Sequence, residues 1–219
     1  MAIFSPATVK ASSWPMSMGA ESIAAAQFAR CGFDVLVQAG RDKPSYDLVL
    51  TRGGNLLKVS VKASENGQWP LTSGYTRRVA EVSGMRMDCR SMIDMWRAGF
   101  GSRTVCCLVQ FEGVELHELP RMYVATPDEI AAAMHETTDR TGDCTLYERY
   151  DWMGREGLRV FESLPAQWHF SQARIQEMLQ TVGNTSAAPA AVAKKPAAVE
   201  SAATEHGPQA VVRELALSV

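Results

Sequence analysis

Missing from this 219-residue chain is any apolar run near the ~18–20 residues that a membrane-crossing helix needs. Residues 1–17 lack a basic segment followed by an apolar stretch, so no signal peptide is expected and the chain reads as cytoplasmic. Histidine is scarce: His117, His135, His169 and His206 are too scattered to suggest zinc. The five cysteines form no CxxC pair, and an odd number cannot all be bridged within one chain. Adjacent Cys106 and Cys107 lie in a strand-like run, where they would point to opposite faces, and buried reduced thiols are expected. No glycine-rich phosphate loop, Ser/His/Asp set or Cys/His pair occurs at a recognisable spacing. That removes nucleotide triphosphatases and triad hydrolases. Excess charge is also missing. With 22 basic and 24 acidic residues and a formal net charge of −2, a charge-driven coat for nucleic acid is excluded, but a local phosphate site is not.

What the chain does have is apolar content, 46% hydrophobic against 21% charged, enough for a real core. Its charge is unevenly spread. Residues 1–100 carry 12 basic and 8 acidic side chains, residues 101–183 carry 7 and 13, and residues 184–219 carry 3 of each. An anion-handling site therefore belongs in the first half.

Spacing predicts a helix from about Met18 to Cys31, capped by Ser17, with Ala20, Ile23, Ala24 and Phe28 on its apolar face and Gly32 as its stop. Strands are expected over Phe33–Ala39, Tyr46–Thr51 and Leu56–Ala63, the last two joined by a hairpin turn at Arg52-Gly53-Gly54-Asn55. In the third, Leu57, Val59 and Val61 share one face and Lys58, Ser60 and Lys62 the other, while Asp47 projects opposite Tyr46 and Leu48. Residues 65–79 read as a loop. Trp69 there is either an anchor on the core or, with Tyr75, a platform for an unpaired base. A helix over Met85–Gly99, strands over Thr104–Phe111 and Met122–Ala125, and a helix from Thr126-Pro127 to His135 follow. Strands near Cys144–Tyr150 and Leu158–Glu162 precede a helix from Ser171 to Gln180, and Trp152, Phe161, Trp168 and Phe170 are expected to pack over the core. From Gly183 onward the chain turns Ala-, Pro- and Ser-rich, a flexible tail suited to a protein partner.

Four features stand in order: Glu21 in an early helix, Asp47 at a strand start, and Ser60 and Lys62 two apart on the polar face of the next strand. Antiparallel pairing would bring Asp47 to that face. Gly-Ala-Glu, then Ser-Tyr-Asp-Leu-Val-Leu, then Lys-Val-Ser-Val-Lys-Ala-Ser, in a helix–strand–strand–strand–helix order, resembles the PD-(D/E)xK nuclease superfamily. The likeness covers about residues 17–136 and is greatest to the branch holding archaeal Holliday-junction resolvases and group I intron-associated endonucleases.

The resemblance implies an α/β, restriction-endonuclease-like core with a mixed central sheet flanked by helices. The expected organisation is an arm over 1–16, the core over 17–136, an extension packed on it over 137–182, and a tail over 183–219. It implies a divalent-metal-dependent DNA endonuclease that hydrolyses phosphodiester bonds with Mg2+ or Mn2+ and works as a homodimer. Asp47 matches the metal-binding Asp and Lys62 the Lys that steadies charge at the attacked phosphate. Glu21 matches the helix Glu that helps hold metal, and the Val61 carbonyl would complete the ligand set. Arg41, Lys43, Lys58, Arg77 and Arg78 would contact phosphates, which position DNA without reading its sequence. Arg86 and Arg90 would extend that patch.

Ser60 departs from the pattern, standing where the family has Glu or Gln. Three outcomes are open: Asp47, Glu21 and Val61 suffice; a carboxylate has migrated, with Glu65 and Glu81 as candidates; or the fold is a catalytically inactive module for DNA or protein binding.

Overall fold

The computed structural model describes residues 13–38, 45–74, 88–154, 157–162 and 164–183. The sequence-predicted tail, together with Arg41, Lys43, Tyr75, Arg77, Arg78, Glu81 and Arg86, lies outside them.

Helix α1 (Ser13–Arg30) leads into strands β1 (Asp34–Val37), β2 (Leu48–Arg52) and β3 (Asn55–Ser64). Strand β4 (Gln68–Trp69) and helix α2 (Cys89–Ala98) precede β5 (Thr104–Gln110) and β6 (Arg121–Ala125). Then come α3 (Pro127–Thr141), β7 (Leu146–Tyr147), β8 (Arg149–Gly154), β9 (Gly157–Glu162) and α4 (Gln172–Met178), which ends in a π-helical turn over Leu179–Gly183. Five strands form one sheet in the order β1-β2-β3-β5-β6. All neighbours run antiparallel except β3 and β5, whose parallel pairing requires the crossover that α2 supplies. The expected mixed α/β architecture is therefore present, a central sheet with helices on both sides.

The Arg52–Asn55 hairpin closes through Gly53 and Gly54 at φ 56° and 81°. Two successive left-handed residues make the turn whose twist matches its strands, and glycine adopts them without Cβ strain. This fixes the β2–β3 register, Leu50 opposite Leu57 and Leu48 opposite Val59.

That register sorts the side chains. Leu48, Leu50, Leu57, Val59 and Val61 join Ala20, Ala24 and Phe28 of α1, and Ile175, Met178 and Leu179 at the end of the described chain, in one apolar cluster. On the other face, Cys106, Leu108, Tyr123 and Ala125 pack with Ile93 and Trp96 of α2, Ile130 and Met134 of α3, and Trp69 and Trp168. Cys106 and Cys107 do fall on opposite faces, both buried and both free. Burial pushes the Cys106 thiol up to about 12, as expected of an inert structural cysteine.

Several elements differ from expectation. Helix α1 begins at Ser13, so Ser17 is an interior residue rather than a cap. Helix α3 opens on a Thr126–Glu129 capping box and runs six residues past His135, ending at Gly142, left-handed at φ 72°. Residues 65–79 are not all loop, since Gln68 and Trp69 pair with Tyr147 and Leu146, a contact 77 or more positions away that local propensity cannot signal.

Two buried polar groups knit the last elements to the sheet. Arg174, 4% exposed, donates to the Val124 carbonyl at 3.1 Å and to both Glu129 oxygens at 2.6 Å, joining α4 to β6 and to the start of α3. Glu148, 6% exposed, accepts from Arg121 Nε at 2.7 Å, Arg121 Nη2 at 2.9 Å and the Tyr123 hydroxyl at 2.5 Å. Burial opposes the Glu148 charge, but the Arg121 guanidinium and Tyr123 hydroxyl outweigh it and hold the carboxyl below its ordinary 4.5. A depressed folded-state pKa stabilises fully above the ordinary value and is lost as pH falls through the folded one. Glu148→Gln is expected to lower stability near neutral pH by about 1–3 kcal/mol. The gap from the parent should narrow on acidification below 4.5, as read by urea unfolding at both pH values. An unchanged gap would show that Glu148 is not an ionised partner.

Candidate active site

Strand β2 stops pairing with β3 through its backbone at Asp47. The Asp47 N–H still donates to the Val59 carbonyl at 2.8 Å, and its own carbonyl accepts from Gln38 N at 2.8 Å. One ladder position later the partner is a side chain, for Asp47 Oδ2 accepts the Val61 N–H at 2.8 Å. An extended residue presents its N–H and C=O to the same strand edge. The Val61 carbonyl therefore faces the edge where the Asp47 carboxylate lies. The sequence reading placed both residues here, but not this bond, which uses the Val61 amide before its carbonyl.

Ser60 and Lys62 occupy the face opposite α1. The register lines Ser60 up with Cys106 and Ala125, and Lys62 with Leu108 and Tyr123. Burial is the largest cause of the raised Cys106 thiol pKa; Lys62 opposes it and Asp47 adds to it. Ser60 is 1% exposed, a neutral hydroxyl in the packed layer, where an unpaired charge would be costly.

Glu21 is half-buried on α1, whose Ala20 and Ala24 cover the Leu48–Val59–Val61 face. Glu21 therefore comes to the sheet from the α1 layer and Lys62 from the α2 layer. Among the described residues, no three His, Cys, Asp or Glu side chains gather as a metal site. Glu65 is exposed past the end of β3, beyond the Ser64–Gln110–Arg121 row and five residues on from Ser60, so it does not stand in for a carboxylate at that position. Asp47 and Glu21 remain the available pair. Mg2+ is commonly held by one or two carboxylates with water and phosphate completing its shell, and the donor set fits that minimum.

Of the expected phosphate contacts within the described residues, Lys58 holds its ammonium 5.2 Å from the Tyr46 ring centre. Arg90 pairs with Asp139 and so does not extend a basic patch.

A cleft of about 390 Å3 opens beside Lys62 and Ser60, lined also by Trp69, Leu71, Trp96 and Phe100. Trp69 donates from Nε1 to the Lys62 carbonyl at 3.1 Å and is 1% exposed. It is a core anchor that fixes the backbone behind Lys62, not a free stacking platform. The sequence placed Trp96 on a helix expected over Met85–Gly99, but not at the floor of a cleft at the site. The only signal was its position one turn before Gly99-Phe100, where α2 ends.

No protein-family model matches the sequence, and no curated protein matches it. Among solved structures, the chain is similar to a bacterial homing endonuclease, I-Ssp6803I, at 21% identity and TM-score 0.34, over 56% of this chain and 74% of that one. It is also similar to the Holliday junction resolvase Hjc of Archaeoglobus fulgidus, at 17% identity and TM-score 0.31, over 52% and 74%. Likeness of this extent says nothing about activity.

The Asp47–Val61 bond predicts separable effects on folding. Asp47→Asn keeps an accepting oxygen and should hold near-parental stability. Asp47→Ala leaves the Val61 amide unanswered and should cost about 1–2 kcal/mol by urea unfolding. Equal stability of the two variants would show that the bond does not hold the strand edge.

Proposed function

We propose that the chain is a divalent-metal-dependent DNA endonuclease hydrolysing phosphodiester bonds, with Asp47 and Lys62 at its centre. The observation that carries this reading is the Asp47 carboxylate fixed by the Val61 amide at 2.8 Å, with Lys62 on the adjoining position of the same strand. Phosphodiester hydrolysis builds negative charge on phosphorus and on the leaving oxygen. A carboxylate and an ammonium held by neighbouring strands supply a cation-binding group and a preorganised positive charge without reorganisation. Asp47, Glu21 and the Val61 carbonyl would hold Mg2+ or Mn2+. Bound there, the metal would lower the pKa of a water and offset charge on the phosphate. The hydrogen bond from Val61 orients Asp47, and the Trp69 indole holds the backbone that carries Lys62. Ser60 lines the site as a neutral group. DNA is the expected partner, and Lys62 and Lys58 are the described lysines of β3 that would meet its phosphates.

Incubation with linear, supercoiled and branched DNA tests the reading. Cutting should require Mg2+ or Mn2+, stop with chelator, and fall at least ~100-fold in Asp47→Asn and in Lys62→Met. Cutting that survives both substitutions would reject it.

A second reading, a nuclease fold that binds DNA without cutting it, draws on the buried neutral Ser60 and on the lack of a three-ligand cluster among the described residues. Binding of DNA with no cutting by either metal would select it. Ser60→Glu separates the two further. If the site is one ligand short, calorimetric titration with Mn2+ should show tighter binding, and an unchanged titration would count against the assigned geometry.

A further inference from the structure

The cleft beside Lys62 has a lining that phosphate chemistry does not require. Its floor is aromatic, with Trp69 and Trp96 almost fully buried, and Phe100 meets Trp96 edge-to-face at 4.9 Å between ring centres. Leu71 and Phe100 are half-buried and Pro70 exposed, so the walls keep apolar surface in contact with water. Such exposure is unfavourable unless something covers it. The volume, about 390 Å3, lies in the range of sites that enclose small organic groups. The cation on the rim is Lys62. A matching occupant has flat apolar faces, a polar edge and a phosphate attached within reach of an ammonium, which describes a nucleotide base.

We propose that this cleft receives one unstacked nucleobase of the strand whose phosphate Lys62 contacts. The preferred substrate class is then DNA with an unpaired nucleotide at the site rather than continuous duplex. The inference rests on the nuclease reading of the same site. A stacked, paired base lies inside the duplex and must be extruded to enter such a cleft, at a cost that is smallest when the base is already unpaired. Contact of a base with Phe100, the half-buried aromatic side chain of the lining, tolerates any sequence because every base has a π-face. The cleft thus selects for local DNA structure and not for a base sequence.

The test uses the full chain with chelator present, so that binding is read without cutting. The probes are one end-labelled duplex with a single unpaired 2-aminopurine and the same duplex with that base paired. Binding by anisotropy should favour the unpaired probe about tenfold. Acrylamide quenching of the unpaired 2-aminopurine should drop in the complex. Phe100→Ala removes part of the lining, and Leu71→Trp fills the cleft. Each should bring the affinity ratio near one and restore quenching, while circular dichroism shows a retained fold. Equal wild-type affinity for both probes with unchanged quenching would overturn the inference. The nuclease reading would survive that result if metal-dependent cutting persists. Failure to bind either probe would overturn the inference, and the absence of metal-dependent cutting as well would overturn both.

Discussion

A carboxylate stands in for a backbone carbonyl at the edge of the central strand. Where β2 leaves β3, the Asp47 side chain accepts the Val61 amide that the departing strand would otherwise have paired. This lets the sheet open at one place without orphaning a buried donor, and it fixes a negative charge at the opening. Lys62, one residue on, turns to the α2 side of the sheet, and the bond from the Trp69 indole to its carbonyl holds it there. Both charged groups are positioned by the sheet's own hydrogen bonding, so they need no flexible loop to bring them together.

The same strand separates two environments. Leu57, Val59 and Val61 face α1 and α4 through an apolar layer, while Ser60 and Lys62 face α2 and a cleft. Period-two alternation makes that separation absolute, since a one-residue slip would exchange every side chain between faces. The Gly53-Gly54 turn on one side and the parallel pairing with β5 on the other exclude such a slip. Arg174 and Glu148 act at the far side of the sheet, where each converts a buried charge into several hydrogen bonds that join the later elements to β6.

Residues 46–62 could be read well because their signals are local: a hairpin turn, alternation, and one acid flanked by apolar neighbours. Helix α1 was visible as an apolar stripe, but its start was not, because residues before Met18 carry no periodic pattern to mark a cap. The β4–β7 pairing went unseen because two-residue strands have too few positions to show alternation, and their stability comes from partners distant in sequence. Trp69 was legible as an anchor but not its acceptor, the Lys62 carbonyl. Glu21 illustrates the opposite limit. Its place on α1 follows from sequence, but which sheet face α1 covers does not.

By itself the sequence determined the order of the helices and of the five central-sheet strands along residues 17–136, the two faces of β3, and the candidacy of Asp47 and Lys62. These follow from side-chain period and turn chemistry, which act over a few residues. Only the tertiary structure decided that Asp47 binds the Val61 amide, that Ser60 is buried, that Glu21 enters from the α1 side, and that Trp96 and Phe100 meet Lys62 across a cleft. Each of these depends on how layers stack and where strands part. Packing of the whole chain sets those relations, and no local pattern encodes them.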